Sequence, residues 1–222
     1  EGMSVEEWME QQTSSSGGCN YSFPDGLDGE IVIFDFTTVD YTVPLGKNLY
    51  ITCLYFEGDH PTLTVNNKEL IFIDGGGYTA SWFSDSNAFL VGSGATISTS
   101  NIDTSNIYVT FSGILVDQKV EPIVIDLIAS DFVVPTGKNL HINMAYKSGD
   151  TPKITVDGQN VFRVYNNVNM DSNVLAGMQI ATEEQIISYE GSVDILNISG
   201  YLVDEDYFAN CGGGGGSSQG EQ

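Results

Sequence analysis

Two turn-like stretches of this sequence carry the side chains that could bind a metal ion. Both have the pattern Asp-Ser-Asn, and the candidate ligands are Asp85, Asn87, Asp171 and Asn173. Oxygen ligands of this kind suit Ca²⁺. The same residue types are also common in ordinary turns, where they hydrogen-bond their own backbone. We favour the turn interpretation and therefore expect no cofactor, with a calcium site as the alternative.

A second kind of chemistry would be carbohydrate binding by exposed aromatic rings. Tyr78, Trp82 and Phe83 lie in a stretch that follows three consecutive glycines, and their rings could stack on a sugar. Burial of the same rings in a core is the favoured interpretation, and the second half of the chain has no counterpart of Trp82. Carbohydrate binding is therefore the alternative function rather than the first.

The sequence predicts that this protein is not an enzyme. Its two histidines differ in context, because His60 precedes a proline in a turn and His141 lies on the outward face of a predicted strand. Serine is abundant, but no Gly-x-Ser-x-Gly is present, and no glycine-rich loop leads into a helix. The three cysteines lack the spacing of metal ligands.

The cysteines indicate structural roles instead. Cys53 lies on the apolar face of a predicted strand, which favours a buried thiol. Cys19 and Cys211 remain, one before the first strand and one after the last. Because cysteines of exported proteins are usually oxidised, we predict a Cys19–Cys211 disulfide. The bridge could close within one chain or join two subunits.

An internal repeat must position all of these residues. Val-Pro-x-Gly-Lys-Asn-Leu occurs at Val43 and at Val134, an offset of 91 (134 − 43). Each copy closes on Ser-Gly-x-Leu-Val-Asp, at Ser112 and at Ser199, an offset of 87 (199 − 112). The repeat predicts two similar domains in tandem. The predicted boundaries are an extension over 1–29, a first repeat over 30–117, a linker over 118–122, a second repeat over 123–208 and a Gly/Ser-rich tail over 209–222.

Each copy consists of short apolar strands separated by turn residues, the pattern of an all-β sandwich. After the shared turn, alternate residues form one apolar face in each copy: Leu49, Ile51, Cys53 and Tyr55, and then Leu140, Ile142, Met144 and Tyr146. Gly113 and Gly200 interrupt the closing strands, as a β-bulge or a close backbone approach would require. We predict two antiparallel jelly rolls, with an immunoglobulin-like Greek key as the alternative.

The extension contains the best helical pattern, over residues 4–12. Ser4 and Glu7 form a capping box, and Val5, Trp8 and Met9 share one face. A helix this short is not stable alone in water, so that face must dock on the chain itself or on a neighbour. Val5, Trp8 and Met9 are therefore predicted assembly contacts.

The charge excludes several partners. The chain carries 30 acidic and seven basic residues, a net charge of −23. Such a surface repels phosphate backbones and anionic lipids, and no apolar run approaches the roughly 18 residues of a membrane span. We expect neither nucleic-acid binding nor membrane insertion. Secretion or display at the cell surface is the expected location.

The repeat turns and the Gly-x-Leu-Val-Asp ending resemble uncharacterised secreted repeat proteins of Bacteroidota. They are also similar to jelly-roll subunits of surface appendages and phage particles. The resemblance covers residues 30–207 and implies a fold and a compartment. The expected function is a non-enzymatic extracellular structural or adhesive protein that self-assembles, for example into a filament. The alternatives are a carbohydrate-binding protein and a phage structural protein.

Overall fold

The computed structural model describes residues 21–35, 39–57, 62–72, 88–100, 108–164 and 172–209. All sixteen regular elements of these residues are β-strands. In the first copy they are β1 (Gly29–Asp35), β2 (Tyr41–Thr42), β3 (Lys47–Glu57), β4 (Thr62–Val65), β5 (Lys68–Phe72), β6 (Phe89–Val91), β7 (Thr96–Ser100) and β8 (Tyr108–Asp117). In the second they are β9 (Glu121–Asp126), β10 (Phe132–Val133), β11 (Lys138–Gly149), β12 (Lys153–Val156), β13 (Gln159–Arg163), β14 (Ser172–Ala181), β15 (Ile186–Glu190) and β16 (Val193–Asp204). The helix predicted over 4–12 lies outside the described residues.

The strands form two sandwiches with one topology. The first pairs a sheet of order β1-β8-β3-β6 with a sheet of order β2-β7-β4-β5. The second repeats this as β9-β16-β11-β14 and β10-β15-β12-β13. All strand pairs are antiparallel, and each pair of sheets has the eight-strand order of a jelly roll. The predicted all-β fold of two tandem sandwiches is confirmed.

The repeated turn connects the second and third strands of each copy. Its hydrogen bond runs from the Lys47 amide to the Pro44 carbonyl, 3.2 Å, with an equivalent bond from Lys138 to Pro135 of 3.1 Å. Gly46 and the matching glycine of copy two take φ of 77° and 75°, a conformation that glycine adopts without strain. Proline is therefore the first residue of the four-residue turn in each copy.

The two sequence signatures meet across one strand pair. Lys47, from the turn, donates to Asp117 of the closing signature at 2.6 Å, and Lys138 donates to Asp204 at 2.8 Å. Both pairs are directly opposed in the ladders of β3 with β8 and of β11 with β16. The repeated motifs thus fix the register of the central strands.

A β-bulge reverses the alternation that the sequence predicted for β3. The pairing shifts between Ile51 and Cys53, so Thr52 is an extra residue and Leu54, rather than Cys53, faces the core. Cys53 is only partly buried and Tyr55 is exposed. The prediction of a core thiol at Cys53 is therefore wrong.

The same bulge occurs in β11, with Asn143 as the extra residue. Ala145 enters the second core, while Met144 and Tyr146 point out of it. Ser112 and Ser199 pair just beyond each bulge, next to Gly113 and Gly200. A Cβ on Gly200 would overlap the carbonyl of His141. The prediction of a bulge or close approach at these glycines is confirmed, but the inserted residue lies on the facing strand.

Candidate functional site

Most residues that the sequence singled out lie outside the described part of the chain. These are the aromatic candidates Tyr78, Trp82 and Phe83, the calcium candidates Asp85, Asn87 and Asp171, the cysteines Cys19 and Cys211, and the helix residues Val5, Trp8 and Met9. Asn173 lies in β14, where its backbone pairs with Ala145. Within the described ranges, no group of three or more His, Cys, Asp or Glu side chains is placed to hold a metal ion. These assignments stay predictions.

His141 is buried, although its strand position faces out of the second sandwich. Its exposed fraction is 0% because the two ends of the described chain cover it. Its ring stacks on Tyr201, with centroids 4.9 Å apart, and on Tyr21, at 5.7 Å, while Phe208 contacts it edge-on at 5.2 Å. The Tyr201 hydroxyl donates to the Tyr21 carbonyl at 2.8 Å. His141 therefore serves an aromatic cluster that joins the beginning and the end of the tandem unit.

A buried carboxylate holds the segment before β1 in place. Asp25 is 4% exposed. Its Oδ1 accepts from the backbone amides of Lys119, 2.5 Å, and Val120, 2.9 Å. Its Oδ2 accepts from the Tyr50 hydroxyl, 2.7 Å, and from the Asn48 amide, 2.9 Å. Burial, with the nearby carboxylate, raises the pKa of Tyr50 far above its usual range. One side chain thus ties the first segment to β3 and to the linker.

The two sandwiches contact each other through the hairpin β4–β5. Its residues lie against the outer face of the sheet that contains β9, β16 and β11. Leu70 of the hairpin is 0% exposed and belongs to one buried cluster with Met144, which is 2% exposed; Val124 packs against that cluster. The buried cluster of the first sandwich therefore extends to residues that point out of the second, and β5 contacts the strands that carry them.

Polar groups frame this apolar contact. The Lys68 ammonium donates to the Val124 carbonyl at 2.8 Å. The Tyr146 hydroxyl donates to the Glu69 carboxylate at 3.1 Å, and the Asn197 amide donates to the Glu69 carbonyl at 2.7 Å. Gaps of about 160 and 230 Å³ remain along the contact. Both are smaller than the roughly 300–1,000 Å³ of a typical ligand pocket, so we interpret them as packing defects of a domain junction.

The candidate site is an apolar surface on the edge strand β1. Ile31 and Ile33 are 74% and 72% exposed, on the side of β1 that faces away from the core, whereas Val32 and Phe34 pack inward. β1 pairs with β8 on one side and forms the end of its sheet. An exposed apolar edge of this kind is a surface on which soluble proteins can associate. The sequence predicts that the first repeat consists of strands, but it does not identify the outer face of β1 as a surface for binding.

The chain matches no known protein family, and no curated protein is similar to it in sequence. The resemblance to secreted Bacteroidota repeats therefore stays a prediction. In the described residues, no helix is long and apolar enough to cross a membrane.

Proposed function

We propose that this chain is a non-enzymatic structural protein of the cell exterior that assembles with copies of itself. The observation that carries the proposal is the exposure of Ile31 and Ile33, 74% and 72%, on an edge strand of a chain with a net charge of −23. Burying one such side chain contributes about 1.5–3 kcal/mol. Covering this pair with another protein surface would therefore stabilise an assembly.

The buried polar groups of the structure support the same function. Asp25 uses both carboxylate oxygens to hold the first segment, β3 and the linker together. Glu69 uses its side chain and its carbonyl to hold the second sandwich. These hydrogen bonds tie the first segment to the first sandwich and the two sandwiches to each other, as a structural role requires.

Self-association of the complete, untagged protein tests the proposal. Sedimentation velocity over a wide range of concentration, with negative-stain images of the same samples, should show species that grow with concentration. The measurement should include about 1 M salt, where the Debye length falls to about 3 Å and repulsion between acidic subunits is screened. A protein that stays monomeric at every concentration and salt level would contradict the proposal.

A deletion of residues 1–17 separates two sources of assembly. The predicted helix face of Val5, Trp8 and Met9 is removed, while both sandwiches and the surface of Ile31 and Ile33 are kept. Assembly that persists after the deletion, with an unchanged thermal melt, assigns the association to the sandwiches. Loss of assembly with an unchanged melt assigns it to the N-terminal segment.

A further inference from the structure

We infer that the contact between the two sandwiches of one chain is repeated between chains, so that the β12–β13 hairpin of one molecule sits on the β1 face of the next. The inference rests on the proposed self-assembly and names the two surfaces that meet. It follows from comparing each half of the internal contact with its counterpart in the other copy.

The outer face of β9 and β11, which receives the β4–β5 hairpin, has an exposed counterpart in the first copy. Val32 pairs with Gly113 and Ile123 pairs with Gly200, so Ile33 of β1 corresponds to Val124 of β9. The shared bulge makes Cys53 the counterpart of Met144. Val124 and Met144 are covered by the first sandwich. Ile33 is 72% exposed and Cys53 is only partly buried.

The inserted residue of the contact also has an exposed counterpart. Leu70 is the extra residue of a bulge in the β4–β5 hairpin, and Val161 is the extra residue at the same place in β12–β13. Leu70 is 0% exposed at the internal contact, whereas Val161 is 44% exposed. Within the described chain, Val161 and the β1 face around Ile33 are therefore exposed, whereas the matching hairpin residue and face of the internal contact are covered.

The two hairpins have the same shape. The central residues of the first turn, Asn66 and Asn67, have φ of 50° and 63°, and those of the second, Asp157 and Gly158, have φ of 49° and 75°. In both, the first turn residue accepts a hydrogen bond from the seventh strand of its copy: the Thr96 amide donates to Asn66 and the Ile186 amide donates to Asp157, each at 2.9 Å. A surface that fits one hairpin can therefore fit the other.

The polar residues around the internal contact have counterparts that can form similar hydrogen bonds. Gln159 stands in place of Lys68 and can donate to the Ile33 carbonyl. Asn160 stands in place of Glu69; its side-chain oxygen can accept from Tyr55, the counterpart of Tyr146. Together the two replacements exchange one positive and one negative side chain for two neutral amides, so the net charge of the contact is unchanged.

One position shows that the two contacts differ in detail. Gly92 lies against Pro122, and a Cβ on Gly92 would be 3.1 Å from the Pro122 ring. In the second copy Thr182 takes the place of Gly92, and Ile31 takes the place of Pro122. The contact between chains must therefore be more open at this end than the contact within the chain.

A contact between two different surfaces of identical molecules is heterologous, and it generates an open filament unless the rotation closes a ring. Two single substitutions test this geometry. Ile33→Asp disables the receiving face and leaves the hairpin intact, whereas Val161→Asp disables the hairpin and leaves the face intact. Leu45→Asp, at a turn residue that is 86% exposed and outside both surfaces, is a control with the same change in charge.

We expect Ile33→Asp and Val161→Asp each to sediment as monomers under conditions in which wild type and Leu45→Asp assemble. An equimolar mixture of the two variants should give a 1:1 heterodimer and nothing larger, because only one intact pair of surfaces remains. Thermal melts within a few degrees of wild type confirm that the variants fold, since both residues are exposed.

The outcomes separate the inference from the proposed function. If wild type assembles and both variants assemble equally well, the head-to-tail contact is refuted while self-assembly stands. If the variants are monomeric but their mixture does not dimerise, the two surfaces do not bind each other, and the inference fails. If wild type never assembles, both the inference and the proposed function fail.

Discussion

Replacing Asp25 by alanine is expected to destabilise the fold, although Asp25 precedes the first strand. The carboxylate accepts four hydrogen bonds, from the amides of Lys119 and Val120, from Tyr50 and from Asn48. The Val120 amide and the Tyr50 hydroxyl are buried and make no other described bond as donors. The Asn48 amide keeps a second acceptor, the Val120 carbonyl at 3.1 Å.

The size of the effect follows from the donors that alanine leaves behind. A buried donor without an acceptor costs about 1–3 kcal/mol, so Val120 and Tyr50 together cost about 4 kcal/mol. Lys119 adds less, because water can reach that exposed residue. For a chain of 222 residues, a loss of 1 kcal/mol lowers Tm by about 2–4 °C. We therefore expect Asp25→Ala to lower Tm by about 8–16 °C.

Asp25→Asn is the matched control, because it keeps the size of the side chain and one carbonyl oxygen. That oxygen can still accept from Lys119 and Val120, and the new amide can donate to the Tyr50 oxygen. Thermal and urea unfolding of both variants, followed by circular dichroism, should rank wild type above Asp25→Asn and Asp25→Asn above Asp25→Ala. A Tm for Asp25→Ala within about 3 °C of wild type, less than 2 kcal/mol, would refute the assigned role.

Two further predictions concern the chain ends and the buried tyrosines. The rings of Tyr21 and Phe208 are 4.6 Å apart; since each residue spans up to about 3.5 Å, Cys19 and Cys211 can meet within one chain. Non-reducing electrophoresis should then show a compact, reducible monomer, and a reducible ladder or free thiols would contradict the intrachain bridge. Burial raises the pKa of Tyr50 and Tyr201 above the value of about 10 for an unfolded chain, so their contribution to stability is complete below pH 10 and is lost as the pH rises further. Alkaline titration should show both tyrosines ionising together with unfolding, and ionisation of all tyrosines in the native protein would contradict their burial.

The fold could be predicted because its determinants are local and occur twice. Period-two alternation located the central strands, and the repeated turn gave their starting points. The closing strands of both copies show the same pattern: Val109, Phe111 and Leu115 face the first core, and Leu196, Ile198 and Leu202 face the second. The two copies check each other, since a wrong strand assignment in one copy would conflict with the matching assignment in the other.

Alternation alone could not predict which residues of β3 and β11 face the core beyond the bulge. A β-bulge inserts one residue, and every later side chain then points to the opposite face. The signal was present, because Thr52 and Asn143 are polar residues between apolar neighbours and each faces a closing strand that contains a glycine. Whether such a polar residue becomes a bulge depends on how its strand pairs with the facing strand, and the pattern of a single strand does not show that pairing.

The candidate site was missed for a related reason. Tyr50 and His141 occupy outward positions but are buried, because residues 21–27 and 205–209 cover them. Ile31 and Ile33 occupy similar positions and are exposed. The type of residue does not separate these cases, since all four are large. Only the path of the chain ends and the placement of the second sandwich decide which outward faces are covered.

A contact with another molecule explains the exposed isoleucines of β1 better than chance does. Ile31 and Ile33 lie on the same face of an edge strand, where polar side chains would protect against aggregation, so this apolar pair favours a face that another protein surface covers. The covered face of β9 shows what such positions do when they are used: Val124 packs against the first sandwich and its carbonyl accepts from Lys68. In a tandem duplication, an internal contact always leaves one unused copy of each of its halves at the two ends of the molecule. Here both unused halves, Ile33 and Val161, remain apolar in a chain with 30 acidic residues, which is the arrangement that a head-to-tail filament requires.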